Sequence, residues 1–188
     1  MSIRFRVTVF CGSRLGASPV YEAGAVETGR LAAARGIGVV YGGGSIGLMG
    51  KLANSCLLHG GEVDGVLPTG LFKAEVAHTA LTRLHSVETM HERKALMTRL
   101  GDAFLVLPGG FGTLDEMFEA LTWRQIGVHA KPLALLNVDG FFDGLLAFVD
   151  KMREQGFVPQ EPNDAIVVAR TPDEVLSLIE AHVLRRSA

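Results

Sequence analysis

Three glycines, a threonine and a glutamate cluster in Pro108-Gly109-Gly110-Phe111-Gly112-Thr113-Leu114-Asp115-Glu116, a combination suited to holding an anion. The apolar run Ala103 to Leu107 precedes the stretch and a helical spacing of Leu114, Met117, Phe118 and Leu121 follows it, so it reads as strand, glycine turn and helix start. Glycines remove the side chains that would keep a ligand from the backbone. The N–H groups opening a helix lack intrahelical partners and carry the positive end of its dipole, so a phosphate is the natural occupant. Thr113 and Glu116 also stand in the T-x-x-E spacing of a capping box, in which Glu116 would only accept the Thr113 backbone N–H.

A second charged residue falls in an unusual place. Met90, Arg93, Met97 and Leu100 are spaced by three, four and three, which sets Arg93 on the apolar stripe of a helix. A guanidinium there either meets an anion or runs its stem along the core and its charge to water.

The elements that must position these groups alternate. Phe5 to Phe10 reads as a strand ending in Cys11-Gly12-Ser13, and Ser18-Pro19 opens a helix running to about Arg35-Gly36. Ile37 to Tyr41 is a second strand, ending in Gly42-Gly43-Gly44-Ser45. A helical pattern from Ile46 to Leu58 and a strand from Glu62 to Leu67 follow. Pro68 to Val87 carries the weakest pattern, with Leu71 to Val76 as a helical turn and Glu75 as an isolated acid in a binding loop. Beyond the central turn come a strand over Lys131 to Asn137, a helix over Phe141 to Gln155, a strand over Ala165 to Ala169, and a helix capped by Thr171-Pro172-Asp173-Glu174. This rhythm predicts one α/β domain over residues 1–188, a three-layer, doubly wound, Rossmann-like parallel sheet flanked by helices. Three glycine turns, Gly12-Ser13, Gly42 to Ser45 and Gly109 to Thr113, each follow a parallel strand. All three therefore belong on the C-terminal edge of the sheet, where such folds bind ligands, and Gly12, Ser13, Gly43, Gly44 and Ser45 join the candidate crevice.

Two glycine motifs fail on inspection. Gly42, Gly44 and Gly47 form a G-x-G-x-x-G, but it follows the second strand, and Glu62 lies at the start of the next strand rather than at its far end, where a ribose would sit. Gly50-Lys51 is followed by Leu52, which breaks a phosphate-loop signature and leaves Lys51 as a solvated helix residue.

Composition narrows the function. The net charge of −2 argues against a general nucleic-acid binder. No apolar run approaches the ~20 residues needed to span a bilayer, and Arg4 and Arg6 inside the first apolar stretch are unlike a signal peptide. Cys11 and Cys56 lie far apart without metal spacing and read as buried free thiols in a cytoplasmic protein, while the six histidines show no ligand pattern; neither metal nor cofactor is expected.

These residues resemble the LOG (LONELY GUY) family of cytokinin riboside monophosphate phosphoribohydrolases, some of whose members have been labelled lysine decarboxylases. Both signatures of that family are complete: Pro-Gly-Gly-x-Gly-Thr-x-x-Glu at Pro108 to Glu116, and Met-x-x-Arg-Lys at Met90, Arg93 and Lys94. Cys11-Gly12-Ser13, the run Tyr41 to Gly50 and Thr122-Trp123 match as well, so the likeness covers Val9 to Asp139. It implies cleavage of the N-glycosidic bond of an adenine nucleoside 5′-monophosphate, releasing the base and ribose 5-phosphate, by a homodimer or higher oligomer. It also implies Arg93 and Glu116 as the catalytic pair, with Glu75, Lys94, Gly110, Phe111, Gly112, Thr113, Leu114, Asp115 and Thr122 binding substrate. The chain departs from the family at Glu75-Val76-Ala77-His78, where many members have Glu-Ile-Ser/Thr-Gly, a segment that bears on the purine substituent. Glycosidic cleavage passes through an oxocarbenium-like state that a carboxylate can stabilise while it activates water, which suits Glu116. Two other classes share some of these features: a nucleotide carrier would use the turns without Glu116 or Arg93, and a pyridoxal-phosphate decarboxylase would need Lys94 as its Schiff-base lysine.

Overall fold

A computed structural model describes residues 3–70, 77–159 and 166–187. Its described residues form one seven-stranded sheet, every paired strand parallel, in the order β4-β3-β2-β1-β5-β6-β7. The strands are β1 (Phe5–Phe10), β2 (Ile37–Tyr41), β3 (Val63–Pro68), β4 (Arg83–Val87), β5 (Ala103–Val106), β6 (Leu133–Leu136) and β7 (Ile166–Ala169). The helices are α1 (Pro19–Ala34), α2 (Gly47–Leu58), α3 (Met90–Leu100), α4 (Phe111–Gln125), α5 (Asp143–Glu154) and α6 (Pro172–Ser187). The doubly wound architecture expected from the alternation is therefore present, with the chain reversing direction across the sheet between β1 and β5.

Alternation along each strand sorts the core into two layers. Val7 and Val9 of β1 pack with Ala25 of α1, Leu52 of α2 and Leu176 of α6. Phe10, one residue on, joins Phe104, Met97 of α3 and Met117 of α4 on the other face. Phe10 and Phe104 stack with ring centroids 5.7 Å apart, and losing the fully buried Phe104 ring would cost about 3–5 kcal/mol. On the first face, Gly24, Ala25, Thr28, Gly29, Ala32 and Ala33 give α1 a stripe of small buried residues. A Cβ on Gly29 would overlap the Leu52 carbonyl, so this stripe lets α1 and α2 touch.

One element was not anticipated. The segment Pro68 to Val87 contains β4, whose Arg-Leu-His-Ser-Val sequence pairs in parallel with β3 at the sheet edge and leaves its side chains exposed or half-buried. No apolar alternation announces it. Its hold is partly electrostatic: Arg83 Nε lies 2.9 Å from Oδ1 of the buried Asp64, and Arg83 Nη2 lies 2.6 Å from Glu62 Oε2. Leu71 to Val76, read as a helical turn, lies outside the described residues, and so does Glu75.

Candidate active site

β2, β1 and β5 are neighbours, so their three glycine turns stand side by side at the C-terminal edge of the sheet. The turn after β1 bonds to both of the others. Gly12 N–H donates to the Pro108 carbonyl at 3.1 Å, and the Gly12 carbonyl accepts from Leu48 N–H at 3.0 Å and Met49 N–H at 3.3 Å. Gly47, with φ of +62°, comes so close to Ser13 that a Cβ there would overlap its backbone. The result is a crevice of about 670 Å³ at the point where the strand order reverses, bounded by residues 11–16, the start of α2, Met90 and Arg93 of α3, and the segment from Pro108 to Glu116.

The starts of α2 and α4 differ in what their N–H groups do. At α2, Leu48 and Met49 are already committed to Gly12. At α4 the first intrahelical bond is Leu114 N–H to the Gly110 carbonyl at 3.1 Å, and among the described residues the preceding N–H groups of Phe111, Gly112 and Thr113 have no acceptor. That open helix start faces the crevice, with Gly110 as N-cap and Gly110 and Gly112 exposed.

The sequence contains T-x-x-E three times, and the structure uses it in two ways. Thr89 Oγ1 accepts from Glu92 N–H at 3.1 Å and Thr171 Oγ1 from Glu174 N–H at 3.3 Å, while each glutamate bonds back to the N–H just before its threonine, on Glu88 at 2.8 Å and Arg170 at 3.2 Å. Those two are helix caps. Thr113-Leu114-Asp115-Glu116 is not: α4 already starts at Phe111, which puts Thr113 and Glu116 inside the helix. Glu116 is thereby turned toward α3.

Arg93 is the group it meets. Arg93 Nη1 donates to Glu116 Oε1 at 2.8 Å, with the two side chains 9% and 11% exposed. Arg93 Nε donates to the Val66 carbonyl at 3.1 Å. The apolar stripe therefore carries an arginine because an anion waits for it inside the protein; it does not snorkel. Gly42 makes the space, since a Cβ there would overlap Arg93 Nη2. This is a physical reason for one glycine of the G-x-G-x-x-G pattern that owes nothing to a dinucleotide. Burial raises the pKa of Glu116 above its ordinary value; Arg93 opposes this, Asp115 adds to it, and burial prevails.

The other expected site residues are distributed unevenly. Gly12, Ser13, Gly110, Phe111, Gly112 and Thr113 line the crevice. Asp115 points aside: Lys94 Nζ lies 3.2 Å from Asp115 Oδ2 and 3.1 Å from Glu119 Oε1. Burial works against the Lys94 charge, but the bonds to Glu119 and Asp115 outweigh it and hold its pKa above the ordinary lysine value. Leu114 packs into the core layer shared by α3 and α4. Gly43, Gly44 and Ser45 do not line the crevice. The first two instead clasp the segment that follows the undescribed loop, His78 N–H donating to the Gly43 carbonyl at 2.9 Å and Gly44 forming an antiparallel bridge with Ala77. Thr122 lies farther along α4 in a separate groove against α5, its hydroxyl donated to the Phe118 carbonyl at 2.8 Å. Lys51, expected to be solvated, pairs with Glu22 at 2.6 Å.

Crevice residues that the sequence reading did not assign to the site include Arg14, Leu15, Tyr21, Met90 and Phe141. Tyr21 and Phe141 meet edge to face at 5.6 Å although 120 residues of chain separate them, and no local pattern marks either. Cys11 is a buried free thiol whose pKa is driven up by burial and by Glu116, which keeps it a neutral wall of the site rather than a nucleophile. Among the described residues no cluster of histidine, cysteine and carboxylate side chains could hold a metal, and no helix is long and apolar enough to cross a membrane.

Known proteins resemble this chain in sequence and in fold. The family model described as "Possible lysine decarboxylase" matches residues 49–179. A protein of Oryza sativa subsp. japonica named as a probable cytokinin riboside 5′-monophosphate phosphoribohydrolase is 47% identical over 178 residues, covering 95% of this chain and 72% of its own. The cytokinin riboside 5′-monophosphate phosphoribohydrolase LOG of the same organism is 45% identical over 178 residues, covering 95% and 74%. The Arabidopsis thaliana enzyme LOG2 of that name is 43% identical, covering 95% and 84%. Among solved structures, the molybdenum cofactor binding protein of Rippkaea orientalis superposes with a TM-score of 0.73 over 97% of this chain and 99% of its own at 22% identity, a likeness of fold alone.

Proposed function

The chain belongs to the LOG family of phosphoribohydrolases, and on that premise we propose that it hydrolyses the N-glycosidic bond of adenine-type nucleoside 5′-monophosphates, AMP and cytokinin riboside 5′-monophosphates, to the free base and ribose 5-phosphate. The observation that carries the reading is the buried Arg93–Glu116 pair lying in the same crevice as the open start of α4. The helix start takes the phosphate on the N–H groups of Phe111, Gly112 and Thr113, which anchors ribose over Glu116. Ionised Glu116 stabilises positive charge developing at the anomeric carbon and takes a proton from the attacking water. Arg93 opposes the rise that burial imposes on the Glu116 pKa and fixes the carboxylate in direction.

Lys94 offers no support for decarboxylase chemistry. A Schiff-base lysine must be available as a neutral amine, whereas Lys94 is held as an ammonium between Asp115 and Glu119 and does not line the crevice. It serves instead to tie α3 to α4, the two helices that carry Arg93 and Glu116.

The functional unit is a homodimer formed through α4 and its neighbour α3. Phe118, Leu121 and Trp123 are only half-buried within one chain, and Ile126 and Val128 beyond the helix are exposed. A partner on this face would bring Thr122 to the subunit boundary. Incubating the protein with AMP and separating the products by chromatography tests the activity: free adenine and ribose 5-phosphate in equal amounts are expected. A protein that binds AMP and returns it intact would instead be a carrier.

A further inference from the structure

The side chains lining the crevice supply little uncommitted positive charge for a dianion. Among its described lining residues the charged groups are Arg14, Arg93 and Glu116. Arg93 gives Nη1 to Glu116 and Nε to the Val66 carbonyl, so its charge is offset by that carboxylate, and the nearby Lys94 is held by Asp115 and Glu119. What remains for a phosphate is the partial charge of the α4 start, opposed by the Glu116 carboxylate within the same crevice.

Arg14 has no such commitment. Its side chain is exposed at the crevice, and no described residue pairs with it. Its backbone is nevertheless held firmly. Gly12, two residues earlier, bonds to Pro108 on one side and to the start of α2 on the other, and Gly47 presses against Ser13 and the Arg14 backbone nitrogen. The guanidinium thus swings from a fixed root beside the Pro108 to Thr113 turn. A planar fork of N–H donors on such a root matches a phosphate's oxygens, which a lysine's point charge matches less well.

We infer that Arg14 is a specificity residue that reads the 5′-phosphate, closing over it from the side opposite the α4 N–H groups. The inference rests on the proposed reaction and adds to it the residue that recognises the substrate's charge. Arg14 touches the phosphate and not the glycosidic bond, so it contributes to binding in the ground and transition states alike.

The test compares Arg14→Ala and Arg14→Lys with the parent enzyme on AMP, with ribose 5-phosphate and inorganic phosphate as competing anions. Arg14→Ala is expected to raise KM for AMP, and the inhibition constants of both anions, by about ten- to a hundredfold, the size of one charge-assisted contact, with a smaller fall in kcat. Arg14→Lys should recover part of the loss. Arg30→Ala removes an equal charge from a residue that pairs with Glu27 and does not line the crevice, so it should leave these constants within about twofold. An Arg14→Ala enzyme with the parent's KM and anion inhibition, or a loss matched by Arg30→Ala, would overturn the assignment. If the parent itself fails to cleave AMP, the proposed reaction falls, and calorimetric binding of AMP and inorganic phosphate to the parent and to Arg14→Ala still decides the role: weaker binding in the variant upholds Arg14 as the phosphate reader, and equal binding refutes it.

Discussion

Arg93 and Glu116 sit 23 residues apart on different helices, yet their side chains meet at 2.8 Å with about nine-tenths of each withdrawn from water. Two charges in such a place cost several kcal/mol each to desolvate, and their mutual attraction roughly offsets that cost when the geometry is good. A hydrophobic pair would hold α3 and α4 together as well. On the proposed reaction, the carboxylate is kept for what it does to the substrate.

The first prediction isolates that charge. Glu116→Gln keeps the volume and an acceptor for Arg93 but removes the negative charge, so the fold and AMP binding should survive while kcat falls about a hundredfold or more, the usual size of a general-base contribution. Single-turnover kinetics with AMP provides the check, and the parent rate in the variant would reduce Glu116 to a structural residue.

The second prediction concerns the other partner. Arg93→Ala leaves the Glu116 carboxylate buried without its cation and opens the space kept by Gly42, so it should destabilise the protein by about 3–5 kcal/mol in urea melts. The double variant Arg93→Met, Glu116→Met removes both charges and should recover most of that stability while remaining inactive. If the double variant were the less stable of the two, the pair would be a net stabilising contact.

How far this pair could be read in advance differs between its halves. The three-four-three spacing around Arg93 already set a charge on a core-facing stripe, which is a tertiary statement made by local periodicity. Glu116 was ambiguous, because T-x-x-E describes Thr89-Glu92 and Thr171-Glu174 equally well and both of those are caps. What separates the third occurrence is that α4 begins at Phe111, a boundary set by the glycine turn rather than by the threonine. β4 escaped notice because an edge strand held partly by Arg83–Asp64 needs no apolar alternation. Tyr21 and Phe141 escaped because their contact exists only once the sheet has brought α1 beside the end of β6.

The third prediction is a pH dependence in which activity and stability move oppositely. Burial holds the folded pKa of Glu116 above the ordinary 4.5. Water activation needs the carboxylate, so kcat should rise with pH along a limb lying above 4.5, and that limb should vanish in Glu116→Gln. A carboxyl whose pKa is raised on folding favours the folded state when protonated. Its contribution is fully present below the unfolded value and is lost as pH rises through the folded one. The urea midpoint of the parent, taken relative to Glu116→Gln, should therefore fall across the window in which kcat climbs.

The fourth prediction is assembly. If a second copy covers α4, light scattering at micromolar concentration should report a dimer or a higher multiple. Trp123→Glu, which would put a charge into that contact, should shift the population toward monomer and lower activity with it. A parent protein that runs as a monomer would remove the interface.

The last prediction is that the 5′-phosphate is required. Of the two helix starts at the crevice, α2 is closed by the Gly12 carbonyl and α4 is open, so among these backbone groups it is the α4 start that offers donors to an anion. That place lies one helical turn before Glu116, close enough that holding the phosphate also positions the anomeric carbon. Binding energy from the phosphate is thus spent on orienting the reacting bond, and removing the group should lower kcat as well as raise KM. Adenosine should be cleaved very poorly compared with AMP. A nucleosidase would grip the ribose hydroxyls and the base and have no use for an open helix start lined by Gly110 and Gly112. Values of kcat/KM for AMP and adenosine within about tenfold of each other, a gap of only ~1.4 kcal/mol, would show that the turn does not select the phosphate.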